Sequence, residues 1–218
     1  MNERDAIGQR WFDANSVRIE VAPAAQGFFD DEAFIGLSGA LSNSTVKVDF
    51  PQSYIEMEVI HPAVRRMRRR LYFDIDTNQW NIENIKFRIR PEYWGQDLAA
   101  RSIAVQASTA KNFGMGALSA YAMGNFQTAN HPSKDERWSG YWVWPRLGFD
   151  GDIPVEIQQK LSGNLRHCKR LSDLMVSEAG REEWLRLGGD VEVRFDLSAG
   201  SISWQIFNRY TSERGIRM

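Results

Sequence analysis

The chain has 218 residues, 43% hydrophobic and 12% aromatic, enough apolar mass to bury a substantial core in one domain, or in one domain with an appendage. Its 27 Lys and Arg stand against 28 Asp and Glu, a formal net charge of -1, which argues against wholesale polyanion binding and leaves room for a local basic patch. Cys168 is the only cysteine, and the three histidines, His61, His131 and His167, lie far apart, so an internal disulfide is excluded and no metal centre is expected. The N-terminal MNERDAIGQRW carries charges throughout and no apolar segment, so neither a secretory signal nor a membrane anchor is expected, and the expected location is cytoplasmic.

In chain order, SVRIEVAP alternates Val17, Ile19 and Val21 with polar residues and reads as a strand. The Gly and Ser residues between Gly36 and Ser44 suggest a strand and turn, and TVKVDF alternates again up to Pro51. YIEMEVIHP and RRLYFDID are two further strand candidates, with the arginine run Arg65 to Arg70 expected as a turn between them. Asp76 to Gln79 is turn chemistry before WNIENIKFRIR, where Ile85, Phe87 and Ile89 alternate with Lys86, Arg88 and Arg90 in the pattern of a half-buried antiparallel strand. After Gly95 the period lengthens: Ala99, Ile103, Gln106, Ala110 and Phe113 share one helical face, and Gly114 suits the end of that helix. MGALSAYAM reads as a short buried strand, followed by a polar loop to Gly140. In WVWPRLGF, Pro145 argues for a loop. PVEIQQKL, CKRLSDLM and EAGREEWLRL are helical by spacing and VEVRFDL is a strand; the tail SISWQIFNRY fits strand or helix, and the shared face of Ile202, Ile206 and Tyr210 favours helix. These elements predict an α/β (α+β) fold: a mixed, mostly antiparallel sheet with flanking helices, a core over residues 1–150, and a mostly helical extension over 151–218 packed on it.

A strand that meets a glycine and turns at once into a helix is a known way to hold an anion. The first amides of a helix lack internal partners and the dipole is positive there, and Gly95 lets the backbone come close to a ligand. The run IRPEYWGQDLAARSIAVQASTAKNFGMGALSAYA, followed by GYWVWPRLGF, resembles the core of the GNAT superfamily of N-acetyltransferases over about Ile82 to Phe149. In that family a Gln/Arg-x-x-Gly-x-Gly/Ala loop holds the pyrophosphate of acetyl-CoA. The resemblance implies that Trp94, Gly95, Gln96, Leu98, Ala99 and Ala100 surround the phosphates of acetyl-CoA and that Ile89 pairs with its pantetheine arm. The sequence departs from the pattern at Asp97, where Gly or Ala is usual, at Glu92, where Gln or Arg is common, and at Trp144, where a tyrosine often stands.

The reaction so implied is attack of a substrate amine, of a small molecule or a protein, on the acetyl thioester, with a base to take the amine proton and an acid to protonate the thiolate. Glu83 is the candidate base, with Glu56 and Glu58 as further carboxylates, and Tyr141 the candidate acid; each also has a plain reading as a surface carboxylate or a packed aromatic. His61 reads as a loop residue, and Cys168, set between basic residues, as a helix residue whose thiol those neighbours would favour as thiolate. The alternative to an enzyme is a non-catalytic binding module of the same fold that holds a partner through Arg65–Arg70 and the aromatic cluster Trp138, Tyr141, Trp142 and Trp144. Neither a membrane nor a nucleic acid is the expected partner.

Overall fold

A computed structural model describes residues 5–217. The class is α/β, with a mixed seven-stranded sheet whose strand order follows the chain and with flanking helices. By compactness the chain divides into two units, Met1–Leu118 with Thr211–Met218, and Ser119–Tyr210.

The first unit runs α1 (Ala6–Trp11), β1 (Arg18–Val21), α2 (Asp31–Ser38), β2 (Thr45–Asp49), β3 (Ile55–Ile60), β4 (Val64–Asp74), β5 (Gln79–Ile89) and α3 (Leu98–Asn112), and β6 (Ala117–Ala122) leads out of it. The stretch expected as a strand and turn from Gly36 contains the end of α2 instead. Asp30 accepts the Ala33 amide at 2.8 Å as its N-cap, Asp31 and Glu32 fill the first turn, and Gly39, left-handed at φ 64, closes it. Eight residues interrupted by Gly36 are too few for the helical period to stand out in the sequence.

Strand β1 is parallel to β2, and β2 to β5 form an antiparallel meander. Period-two alternation sorts the meander into two faces. One rung, Val48–Met57–Arg69–Asn84, lies on the buried face. The rung Asp49–Glu56–Arg70–Glu83 lies on the outer face, as does Lys47–Glu58–Arg68–Lys86. There Arg70 meets Glu83 at 3.2 Å and Arg68 meets Glu56 at 3.4 Å. The run Arg65–Arg70 is therefore not a turn but part of β4, and the turn lies at His61–Ala63, where His61 Nδ1 accepts the Ala63 amide at 2.9 Å. Charges are alternated onto the outer face at Arg66, Arg68 and Arg70, which leaves Met67 and Arg69 inside. Register shifts at Arg65 and at Ile85 mark two bulges in the β4–β5 pair.

Helices α2 and α3 pack together and cover the buried face. A Cβ on Gly36 would stand 2.5 Å from Thr109 Oγ1, and one on Gly39 2.5 Å from the Ser102 carbonyl oxygen, so the two backbones approach closely only because these residues are glycines. Side chains of α3 complete the end of α2: Ser102 Oγ donates to the Gly39 carbonyl at 2.7 Å and Gln106 Nε2 to the Leu37 carbonyl at 2.9 Å.

The second unit holds α4 (Phe126–Ala129), α5 (Gly140–Arg146), α6 (Val155–Gln158), α7 (Leu171–Met175), α8 (Glu178–Leu187), β7 (Val191–Asp196) and most of α9 (Ile202–Glu213). The tail is helical, as its spacing predicts. Pro145 does not keep its segment open as a loop; it sits in the last turn of α5. The carbonyl of Tyr141, which Pro145 leaves without its i+4 donor, accepts the indole N–H of the fully buried Trp184 at 2.8 Å. Phe149, Phe195, Trp204 and Phe207 stack edge to face around this core, with Phe195 5.0 Å from Trp204 and 5.5 Å from Phe149.

Candidate functional site

Strand β5 ends at Ile89, and Pro91 starts the single 3-10 turn Pro91–Tyr93 that swings the chain toward α3. Trp94 then folds back, and its indole N–H donates to the Ile89 carbonyl at 3.1 Å. Gly95 is left-handed at φ 85, with no atom within 4 Å of where a Cβ would be. Gln96 is held by its Oε1, which accepts the indole N–H of Trp11 at 2.9 Å. Asp97 takes the N-cap position of α3 in a left-handed conformation, φ 53, that non-glycine residues adopt rarely.

Asp97 does not cap the helix. Its carboxylate lies 3.4 Å from the Nε of Arg214. No acidic side chain stands in the first turn of α3, and the amides of Leu98, Ala99 and Ala100 donate to no group among the described residues; the first internal bond is Arg101 N–H to the Asp97 carbonyl at 3.0 Å. The start of a fifteen-residue helix thus carries three amide donors without an internal partner and the positive end of its dipole, shortly after Gly95, where a Cβ would meet nothing within 4 Å. A multi-oxygen anion fits that arrangement chemically. Arg214 offsets the charge of Asp97, which would repel such an anion.

Behind this turn, α3 is anchored by Arg101, 3% exposed, whose Nη1 donates to Asp5 Oδ1 at 2.8 Å. Asp5 also accepts the Gly8 amide at 2.8 Å, capping α1, and the Arg217 amide at 2.9 Å. Burial would raise the Asp5 carboxyl, but the hydrogen bonds from Arg101, Arg217 and Gly8 outweigh it and hold it down to about 2. This clasp ties both ends of the described chain to α3 and with them Trp11, the residue that orients Gln96.

The structure therefore brings Trp94, Gly95, Gln96, Leu98, Ala99 and Ala100 together. Leu98 and Ala100 are buried and can offer only backbone. Ile89 ends the preceding strand as expected, but its carbonyl already accepts from Trp94, so an arm pairing there has to displace the indole. Glu83 lies on the outer face of β5, bound to Arg70, while α3 covers the opposite face. Tyr141 lies in the second unit, fully buried, with its hydroxyl donating to the Leu185 carbonyl at 2.8 Å and burial pushing it up to about 12. Trp144 of the same unit stacks on Phe149 at 4.7 Å. Cys168 is not in an α-helix but ends a 3-10 turn, buried, and burial and then Asp173 raise its thiol rather than lower it.

Sequence reasoning missed Trp11, Arg214, Arg101 and Asp5. Trp11 and Gln96 are 85 positions apart and Asp5 and Arg101 are 96 apart, and no local pattern marks such pairs. Among the described residues no group of three His, Cys, Asp or Glu could hold a metal ion, and no helix is long and apolar enough to cross a membrane. No family model, curated protein or solved structure matches the chain.

Proposed function

We propose that the chain is an N-acetyltransferase that takes acetyl-CoA at the turn before α3 and passes the acetyl group to an amine, as its resemblance to the GNAT superfamily implies. The observation that carries this reading is the uncapped start of α3: three amides without a partner among the described residues follow Gly95, where a Cβ would meet nothing within 4 Å, and Asp97 is paired with Arg214. A diphosphate matches three parallel donors better than a single carboxylate does. Bound acetyl-CoA supplies an activated thioester, which an amine attacks with loss of the thiol. The chain's own part is to bind and orient: Trp11 fixes Gln96, Arg101 and Asp5 fix the helix, and Gly95 leaves the approach clear.

A second reading, a binding module without turnover, is favoured by the proton-transfer candidates. The Tyr141 proton is donated to Leu185, and Glu83 is paired with Arg70. Thiol release from acetyl-CoA, measured over a panel of primary amines and lysine peptides, separates the two. Turnover above the uncatalysed rate that disappears in Gly95→Glu supports the transferase. Saturable binding of acetyl-CoA without release supports the module, and absence of binding overturns the transferase.

A further inference from the structure

Seven aromatic rings meet at one end of the first unit, contributed by four separate segments. Phe28 lies 5.0 Å from Phe50 and 6.0 Å from Trp80; Trp80 lies 5.7 Å from Phe73 and 5.6 Å from Phe29; Phe29 lies 5.8 Å from Phe113 and 5.7 Å from Phe34. Such a cluster is ordinary in a core, but this one begins at the buried Phe34 and runs out to the surface. Phe28 is 42% exposed, Phe73 43%, Phe113 50%, and Ile75 at the tip of the β4–β5 hairpin 83%. Scattered exposed apolar residues need no explanation, whereas a connected patch of this kind marks an interaction site.

Two further features say what covers it. A cavity of about 330 Å³ opens between α2 and α3, walled by Phe12, Ala33, Val105 and Phe113, with the acids Asp30 and Glu32 also lining it. Phe113 belongs both to this cavity and to the aromatic cluster, so groove and patch are one surface. The segments that build it, 28–34, 50, 73–80 and 109–116, carry five acids, Asp30, Asp31, Glu32, Asp74 and Asp76, and one base, Lys111. An anionic lipid surface is repelled by that charge; a chain with cationic groups beside apolar ones is attracted.

We infer that this end of the first unit docks a basic, amphipathic polypeptide segment, whose apolar side chains cover the Phe28–Trp80–Phe113 cluster and whose Lys or Arg heads meet the acids around the start of α2. The surface suits such a partner because aromatic anchors give contact area at low entropy cost, while the acidic rim selects the sign of its charge. It lies away from the anion-binding turn in sequence and shares none of its residues.

The test uses a fluorescently labelled short peptide in which Leu-Phe pairs alternate with Lys-Lys pairs, titrated with the full chain and read by anisotropy. Its counterpart has Glu for every Lys. Saturable binding of the Lys peptide alone is expected, weakened about tenfold or more by Phe113→Ser and, separately, by Asp31→Lys with Glu32→Lys, and weakened by salt. Both variants leave the Asp30 cap and the buried face of α2 untouched, and far-ultraviolet dichroism confirms that they fold. Equal binding of the two peptides, no saturable binding up to about 1 mM, preferential binding to anionic vesicles, or loss of the site to self-association by light scattering each overturns the proposal.

Discussion

Arg69 is the residue with the least comfortable position in the first unit. It is fully buried in the sheet row between Met57 and Asn84, with its guanidinium 4.3 Å over the Phe87 ring. Only Nη1 finds an acceptor, the Lys86 carbonyl at a long 3.5 Å, and Nε and Nη2 have none among the described residues. Burial brings its pKa down to about 9. A buried cation held this weakly costs stability. Arg69→Met, which keeps the volume and removes the charge, is expected to leave stability unchanged or to raise it by about 1 to 4 kcal/mol in urea unfolding. Arg69→Ala opens a cavity and should lower it. A loss of more than about 2 kcal/mol in the Met variant shows instead that the guanidinium has a favourable partner. Asp5 gives the opposite case. Its folded pKa lies below its ordinary value, so its contribution is complete above about pH 4 and is lost as pH falls through about 2. Asp5→Asn should cost about 2 kcal/mol at neutral pH and flatten the acid limb of the stability profile. An unchanged limb contradicts the clasp with Arg101.

At the scale of elements, two glycines with similar left-handed backbones make a matched comparison. Gly39, φ 64, has the Ser102 carbonyl against it, and Gly95, φ 85, faces open space. Gly39→Ala meets strain and a clash with backbone, and thermal unfolding should show a loss of about 2 kcal/mol or more. Gly95→Ala meets strain alone and should lose about 1 kcal/mol. Equal losses would mean that α2 and α3 do not pack as closely as described. The same elements show what a sequence can disclose. The strand ending at Ile89, the glycine turn and α3 are legible because the period changes from two to near four across Gly95. Helix α2 is not legible, being short and broken by Gly36, and the arginine run hides a strand because charge masks the alternation that buries Met67 and Arg69. Pro145 misleads for a physical reason: its helix-breaking cost is offset by Trp184, a residue 43 positions from Tyr141 whose indole satisfies the stranded carbonyl. Trp184→Phe should therefore destabilise beyond the lost contact area, by about 1 to 3 kcal/mol for a buried carbonyl left unpaired.

For the whole molecule, a net charge of -1 conceals strong local segregation. The outer face of the β2–β5 meander carries interleaved Arg, Lys and Glu in ion pairs, the aromatic end of the first unit is acidic, and the turn before α3 presents amides and Arg214. Composition alone reports the sum; it does not show where along the fold the charges gather. The turn before α3 also depends on both ends of the described chain, since Asp5, Arg214 and Arg217 reach it or its supports from opposite termini. Calorimetric titration of acetyl-CoA into the native chain, Gly95→Asn and Gly95→Glu tests the proposed anion site most directly. Asn tolerates the left-handed backbone and carries no charge, so binding should persist with Asn and be lost with Glu, whose carboxylate enters the space proposed for the diphosphate. Equal binding by all three chains, or none by the native one, contradicts an anion held at the start of α3.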